Sequence, residues 1–362
     1  MDTLIISYSN NLDEGRLKEL IAVSRIYGNP IVFISSNTQT VDENVICVKK
    51  KSNQHLDYLY FTFMAIKFAM KNKEKYDIVM LDFMTSSLAG VFIKNILRNK
   101  FFVQDVRELA FPKDFEKVPG KMLSFVEGKM IKKSDIVIAA NSHRADIMKR
   151  HYNIKLPYSF ENIRLLGPVV EVSKFDEEKS VFRIISTGGP SVSRGILTIL
   201  EAFKELPSYF ELIIVGDSGE ADYSQVKRYI KEFNINNVKL LKKVKSDNLY
   251  DLVRSSHVGI VHYHFNDINN IYCASGKVYE YLGCLIPIAT TENPPLKEFC
   301  EKNKIGIANN NFKESLLSLY ENYSLYKQAV IEFASKIDVQ KNNQALANYI
   351  IEEYKKKSKN RM

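Results

Sequence analysis

The sequence predicts an α/β protein built from two doubly wound parallel-sheet domains, with helices at the C-terminal end. Short runs rich in Val, Ile and Leu alternate with amphipathic helical stretches, which is typical of a parallel sheet covered on both faces. This alternation stops once near the middle of the chain and then begins again. A length of 362 residues also suits two domains of ordinary size.

The first half of the chain begins with a strand and continues as apolar runs separated by helical stretches. Residues 17–27 carry apolar side chains at helical spacing, and Gly28-Asn29-Pro30 ends that helix. The other predicted helices are 55–72, 85–98 and 120–133, and the predicted strands are 4–7, 31–35, 78–81, 101–104 and 136–139. We assign residues 1–165 to this first domain.

The interruption lies at residues 156–178, where prolines, a Gly-Pro pair and a charge run replace the apolar pattern. Residues 180–335 then form the predicted second domain. Its predicted strands are 182–186, 211–215, 238–241, 258–261, 286–289 and 305–307. Residues 313–358 are helical in pattern, and we expect 336–362 to form a C-terminal helix that packs back toward the first domain and ends in a basic tail.

Composition limits the functional class. Lys and Arg number 51 against 42 Asp and Glu, a net charge of +9 that suits an anionic partner. The four cysteines form no CxxC pair, which argues against a disulfide scaffold or a zinc ribbon and fits a reducing cytoplasm. The sequence has no signal-peptide pattern and no apolar run near the ~20 residues of a membrane helix. We therefore expect a cytoplasmic protein, either free or peripheral on the inner face of the plasma membrane.

A glycine-rich turn follows the first strand of the second domain. Gly188 and Gly189 let the backbone approach a ligand closely, and the helix that follows offers free N–H groups to a phosphate. Arg194 adds a fork of donors suited to a diphosphate. The same residues would also make an ordinary strand-to-helix turn with a solvated arginine.

A second helix start follows the strand at 258–261. Ser275 and Gly276 begin this helix, and Lys277 and Glu280 share one of its faces because they are three residues apart. Lys277 can pair with phosphate, and Glu280 can accept hydrogen bonds from ribose hydroxyls. The alternative is a surface Lys–Glu pair without a ligand.

Together these motifs make the family nameable. GG-x4-RG at 188–195, LIIVGD at 212–217, NVKLLKKV at 237–244 and SGKVYEYLGCLIPI at 275–288 occur in one order. The chain resembles the nucleotide-sugar glycosyltransferases of the GT-B fold, in particular the bacterial glycosyltransferase family 4, or group 1, enzymes of surface polysaccharide assembly. The resemblance implies two facing Rossmann-like domains, the first binding the acceptor and the second the donor.

The resemblance also implies particular roles. Glycines and basic groups would hold the donor diphosphate, the backbone after the third strand would hold the base, and Glu280 would bind ribose. His264, which shares one side of an extended segment with His262, would contact the donor sugar; a metal pair is the alternative, but no third ligand is evident. The donor-binding set is Gly188, Gly189, Arg194, Lys242, Lys243, Val244, His264, Ser275, Gly276, Lys277, Val278 and Glu280.

The implied reaction is the transfer of a hexose from a nucleotide-sugar, taken to be UDP-linked, to an acceptor hydroxyl. Arg194 and Lys277 would stabilise the leaving diphosphate, and Asp105 would be the general base. From its position alone, Asp105 can instead cap a helix or pair with Arg107. Asp13, in the first loop, is the second candidate for the base, and we place Asp13, Arg107 and His143 on the acceptor side. Because the chain has no DxD motif, we expect no metal, and we expect no cofactor.

The predicted partners include an acceptor and a surface. The acceptor would be a glycan or a polyprenyl-linked sugar, as in capsule or lipopolysaccharide assembly in bacteria. Residues 113–155 hold ten basic and five acidic residues with interleaved Phe and Met, a pattern that suits an anionic membrane face or an ordinary solvated helix. We expect no nucleic acid partner, because no recognised motif is present.

Two other functions remain open at this point. The same fold can carry a nucleotide-sugar 2-epimerase, although no suitable cluster of acids is evident. The chain can also be a non-catalytic partner that binds a nucleotide-sugar. Tyr272 supports the second alternative, because it stands where the family's two-glutamate motif has its earlier glutamate.

Overall fold

A computed structural model describes residues 1–9, 11–12, 15–37, 42–169 and 181–360. The chain divides into two compact units. The first comprises Met1–Asn162 and Asp338–Met362, and the second comprises Ile163–Ile337. The chain therefore passes from the first unit to the second and then returns.

The first unit contains a seven-stranded parallel sheet in the order β3-β2-β1-β4-β5-β6-β7. Its strands are β1 (Thr3–Ser7), β2 (Pro30–Ser35), β3 (Val45–Val48), β4 (Ile78–Asp82), β5 (Phe101–Val106), β6 (Ile136–Ala139) and β7 (Tyr158–Ser159). The order reverses between β1 and β4, which is the switch point where doubly wound sheets bind ligands. The five predicted strands are confirmed within two residues, whereas β3 and β7, which are short edge strands, were not predicted.

Helices connect these strands and cover both faces of the sheet. They are α1 (Gly15–Tyr27), α2 (Gln54–Lys71), α3 (Ser87–Ile96), α4 (Val118–Lys133) and α5 (Ser142–Tyr152), with 3-10 turns at Lys73–Lys75, Met84–Ser86 and Pro112–Asp114. Because side chains alternate along β1, Ile5 packs in the layer that contains α1, and Leu4 and Ile6 pack in the layer that contains α2. Burial on both faces explains why the strand sequences are continuously apolar.

The second unit contains a six-stranded parallel sheet in the order β10-β9-β8-β11-β12-β13. The strands are β8 (Phe182–Thr187), β9 (Phe210–Val215), β10 (Val238–Leu241), β11 (Val258–Val261), β12 (Ile288–Thr290) and β13 (Gly306–Ala308). The switch point lies between β8 and β11. β12 begins two residues later than predicted, because Leu285 has a φ of 61° and Ile286 still donates a hydrogen bond to Tyr281 of the preceding helix.

Eight helices of the second unit follow these strands in the described part of the chain. They are α6 (Ile196–Glu205), α7 (Glu220–Glu232), α8 (Ser246–Arg254), α9 (Ile268–Ile271), α10 (Gly276–Gly283), α11 (Pro294–Asn303), α12 (Phe312–Glu321) and α13 (Tyr323–Ala334). Ile184 packs with α6 and α12, and Ile185 packs with α10 and α11 on the other face. This unit therefore has the same three-layer construction as the first.

The last helix, α14 (Val339–Lys359), belongs to the first unit. It packs against α1 and buries Leu346, Ala347 and Ile350 in that layer of the core. The region 313–358, predicted to be helical, consists of the three helices α12, α13 and α14. No helix among residues 1–9, 11–12, 15–37, 42–169 and 181–360 is long and apolar enough to cross a membrane.

Candidate donor site in the second unit

The predicted donor residues of the second unit lie on loops at the carboxyl edge of its sheet. The loops after β8, β9 and β11 and the start of α10 meet at the switch point, where helix N-termini point toward the edge of the sheet. The structure thus brings the glycine-rich turn and the Ser275–Lys277 turn together around Thr187.

Glycine is required where the β8 and β9 loops meet. Gly189 has a φ of 82°, and a Cβ there would overlap the backbone carbonyl of Asp217. Gly216 has a φ of 138°, and a Cβ there would lie 2.5 Å from the backbone nitrogen of Gly189 in the β8 loop. The N–H groups of Gly188 and Gly189 both donate to the Val215 carbonyl, at 2.9 and 3.2 Å. Backbone therefore packs directly on backbone, which only glycine permits.

Lys277 links the start of α10 to the end of β8. Its ammonium group donates a hydrogen bond to the carbonyl oxygen of Thr187. The pKa of Lys277 is lowered to about 8, mainly by burial; Glu280 opposes this shift and Arg194 adds to it. A Cβ on Gly188, whose φ is 101°, would lie 2.9 Å from the Lys277 Nζ. The cation is thus held against the open face of the glycine turn.

Ser275 is the N-cap residue of α10, but its side chain makes no capping hydrogen bond. The side chain is 8% exposed, and its hydroxyl makes no hydrogen bond among the described residues. Buried hydroxyls are normally paired, so this one is available to a ligand. The free N–H groups of the first turn and the Lys277 ammonium are further donors at this helix start, which makes it a candidate site for an anion.

Arg194 and His262 form the third side of the site. Gly195 has a φ of 80°, and a Cβ there would overlap the His262 ring. The His262 imidazole hydrogen-bonds to the Arg194 backbone, and burial is the main cause that lowers its pKa. The Nδ1 atom of His262 has no partner among the described residues. The Arg194 side chain itself is exposed.

Glu280 is held by a partner that the sequence did not reveal. It is 7% exposed, and its carboxylate lies 3.3 Å from the Arg164 guanidinium. Val278, which we predicted to bind the donor, is 4% exposed, and its side chain packs in the hydrophobic core of the second unit. Only the backbone N–H of Val278 remains available to the site.

The remaining predicted residues lie around this centre. Lys242 and Lys243 are exposed after β10, and the Lys243 N–H donates to Asp217 at 3.3 Å, which ties this loop to the β9 loop. Val244 packs against the core. His264 accepts a hydrogen bond from the Asn266 N–H and lies 3.7 Å from the Asp267 carboxylate. Among the described residues there is no cluster of three or more metal-ligating side chains.

In the first unit, Asp105 differs from its predicted environment. The side chain is completely buried, and the Arg16 guanidinium donates to its carboxylate at 2.8 and 3.1 Å. The predicted ion pair with Arg107 is present at 4.0 Å, but Arg16, at 2.8 Å, is the principal partner of Asp105. In this structure Asp105 is therefore the buried ion-pair partner of Arg16, and its role as general base stays a prediction.

The acceptor-side residues are placed as follows. Arg107 donates to Asp82 at 2.6 and 2.7 Å, and Asp82 also accepts from Ser7, so three residues join at the first unit's switch point. Burial raises the pKa of Asp82 to about 6 against the opposing effect of Arg107. His143 is the second residue of α5 and is half-buried. Asp13 lies outside the described residues.

Sequence reasoning missed several contributors to these sites. Gly216 and Asp217 could have been predicted as site residues, because both directly follow the end of a buried strand. We used them only as part of the motif that carries the resemblance. Arg164, Asp82 and Arg16 had no local signal, since each acts through a partner more than twenty residues away.

No protein-family model matches the chain, and no curated protein sequence matches it significantly. Solved structures match nearly its whole length. Anabaena HepE in complex with UDP has a TM-score of 0.70 at 16% identity, covering 99% of each chain. WaaG, a glycosyltransferase involved in lipopolysaccharide biosynthesis, has a TM-score of 0.66 at 11% identity, covering 97% of this chain and 99% of the other.

A third similar structure has a different activity in its description. A crystal structure from Listeria monocytogenes, described as a UDP-N-acetylglucosamine 2-epimerase, has a TM-score of 0.60 at 13% identity. The match covers 97% of this chain and 94% of the other. All three matches span both Rossmann-like units of the chain. The chain has the GT-B fold. The GT-B fold predicted from the motifs is therefore confirmed, with one doubly wound sheet in each unit.

Proposed function

We propose that the chain is a glycosyltransferase that moves a hexose from a UDP-linked donor to an acceptor hydroxyl. One observation carries the proposal: the start of α10 holds the Lys277 ammonium against the glycine turn at Gly188, and the Ser275 hydroxyl of the same helix start has no partner among the described residues. The similar structures include HepE bound to UDP and to UDP-glucose, which supports a nucleotide-sugar as the ligand.

The proposed chemistry follows from the charges at this site. When the bond between the sugar C1 and the diphosphate oxygen breaks, negative charge develops on the leaving UDP. Lys277, Arg194 and the α10 N-terminus would stabilise that charge and lower the barrier. We propose that these fixed positive groups replace a metal ion and that no cofactor takes part. The acceptor hydroxyl forms the new bond to C1, and its proton passes to the leaving diphosphate and from there to water.

The nucleoside would be bound by neighbouring loops. Glu280 would accept from the ribose hydroxyls while Arg164 holds its carboxylate in place. The backbone at Lys242 and Lys243 would contact the base, because these residues lie on the loop tied to Asp217. His264 would face the donor sugar.

A donor panel tests the proposal. UDP-, GDP-, CMP- and dTDP-sugars are compared by thermal shift and by slow donor hydrolysis, with Arg194→Ala and Glu280→Gln beside the wild type. We expect a UDP-sugar to stabilise the protein and to be turned over, and both variants to lose these effects. Lys336→Met, which changes an exposed lysine in the turn after α13, serves as the control. Equal behaviour of all four proteins would contradict the site.

A 2-epimerase is the second candidate, favoured by the similarity to the Listeria structure. An epimerase inverts C2 of the donor sugar without an acceptor, so NMR of the recovered nucleotide-sugar distinguishes it from a transferase. A non-catalytic partner would bind UDP and release no sugar in either assay. We place the transferase first because the proposed positive groups would stabilise a diphosphate, which is the leaving group of transfer.

We further propose that α4 rests on an anionic membrane, where a polyprenyl-linked or surface-glycan acceptor of bacterial capsule or lipopolysaccharide assembly would be found. Val118, Met122 and Phe125 are exposed at helical spacing and flanked by lysines; the Lys129 ammonium lies 4.5 Å from the Phe125 ring centre. Sedimentation with phosphatidylglycerol vesicles tests this, and Phe125→Glu is expected to abolish binding. Unchanged sedimentation of that variant would contradict it.

A further inference from the structure

A groove lies at the edge of the first unit, away from its switch point. It occupies about 290 Å³ between the edge strand β3 and the helix α2. Small-molecule sites have volumes from roughly 300 to 1,000 Å³, so this groove suits a small ligand. Its lining residues are Phe33, Ile46, Cys47, Val48, Lys49, Tyr60, Met64, Lys67, Phe68 and Lys71.

The walls of the groove are apolar for a structural reason. Phe33 and Ile46 are direct neighbours across β2 and β3, and both side chains point toward the α2 layer. Tyr60, Met64 and Phe68 follow each other at four-residue intervals, so they form one stripe along α2 that faces these strands. Because β3 is the last strand of the sheet, no further strand closes the groove on its outer side.

Positive charge lies at both ends of this apolar channel. Lys67 and Lys71 are exposed and one turn apart on α2, so their ammonium groups can approach the same anion. Lys49 lies on the rim at the end nearer Tyr60. None of these three lysines forms an ion pair with an acidic side chain in the part of the chain that the structure describes. A ligand with one anionic group would therefore neutralise charge that the protein leaves open.

The groove is separate from the site of the proposed reaction. β3 is two strands away from β1 in the sheet, whereas the switch point lies between β1 and β4. We propose that this groove binds a small amphipathic anion, with a single apolar chain along Phe33, Ile46 and Met64 and a phosphate or carboxylate on Lys67 and Lys71. This proposal does not depend on the proposed function of the second unit.

Calorimetric titration of the full-length protein with octyl phosphate, below its micelle concentration, tests the proposal. Two control ligands are titrated in the same way. Octan-1-ol has the apolar chain without the anionic group, and inorganic phosphate has the anionic group without the chain. We expect octyl phosphate to bind at least about tenfold more tightly than either, because the groove offers both kinds of contact. Binding of octyl phosphate no tighter than octan-1-ol, or no binding at all, would overturn the proposal.

Variants identify the groove as the place of binding. Lys67→Glu and Lys71→Glu are expected to weaken octyl phosphate at least tenfold and to leave octan-1-ol unchanged. Lys18→Glu on α1 makes the same change of charge on the opposite face of the sheet and should bind like the wild type. Met64→Trp should fill the groove and abolish both ligands while the melting temperature shows that the protein is folded. Equal weakening by Lys18→Glu would overturn the proposal.

The natural ligand can be a free amphiphile or a lipid molecule. In the Phe125→Glu background, which lacks the proposed α4 membrane contact, vesicle binding that octyl phosphate displaces would identify a lipid. With octyl phosphate binding established, an absence of vesicle binding would identify a free amphiphile of the same chemistry.

Discussion

The Lys277 ammonium donates a hydrogen bond to the carbonyl oxygen of Thr187. This bond joins the first turn of α10 to the end of β8 and uses only one of the three donors of the lysine. Among the described residues the other two donors have no hydrogen-bond partner, and they lie beside the glycine turn at Gly188. The cation of the proposed diphosphate site is therefore in position before a ligand binds.

The first prediction concerns pH. Because the pKa of Lys277 is lowered to about 8, the free protein loses this charge as the pH rises above 8. The diphosphate is mostly ionised at pH 7 already, because the last pKa of a phosphate ester is about 6. UDP affinity should therefore fall by up to about tenfold between pH 7 and 9, measured by calorimetry.

The controls for this prediction are two lysine variants. Lys277→Met should bind UDP more weakly, with little change over the same pH range. Lys336→Met should follow the wild type. A wild-type pH dependence that persists in Lys277→Met would show that another group is responsible.

The second prediction distinguishes two neighbouring glycines. Gly189→Ala meets the rigid backbone of Asp217, whereas Gly188→Ala meets the movable tip of Lys277. Each change also costs about 1–3 kcal/mol because φ is positive. We expect Gly189→Ala to lose more unfolding free energy in urea, and Gly188→Ala to lose more UDP affinity. Gly219→Ala, with φ −57° and open space around it, should be close to neutral. Equal losses at 188 and 189 would contradict this reading.

The third prediction uses His262. Burial lowers its pKa, so the unfolded chain binds a proton more readily than the folded protein as the pH falls through about 6.5. This group therefore reduces stability on acidification. His262→Gln removes that dependence, so the wild type should lose stability relative to it between pH 7 and 5 in urea titrations. His55→Gln, at an exposed position on α2, should track the wild type. Parallel curves for the wild type and His262→Gln would refute the burial argument.

The fourth prediction concerns the buried pair of the first unit. Asp105→Asn leaves the buried Arg16 with Glu19, 3.6 Å away, as its remaining acidic partner, and unfolding should be easier by up to about 3–5 kcal/mol. Arg16→Met combined with Asp105→Leu should recover part of that loss, because both charges are then removed. UDP affinity should not change. If Asp105→Asn instead folded normally and lost only turnover, Asp105 would be the base after all.

The strands were predictable because a parallel sheet buried on both faces requires continuous apolar runs, such as Val258–Val261. β3 escaped prediction because it is a four-residue edge strand whose residues are mostly half-buried. The loops of the donor site were recognisable from glycines and a helix start. The pairing of Asp105 with Arg16 was not, because 89 residues separate them and only the folded sheet brings them together.

The central claim is that a nucleoside diphosphate binds at the switch point of the second unit. Hydrogen exchange of the full-length protein, with and without UDP, tests it most directly. The account predicts slower exchange in peptides covering 187–195 and 275–280, and no change in β5 of the first unit. Unchanged exchange in both of those peptides at saturating UDP, or protection confined to the first unit, would contradict it.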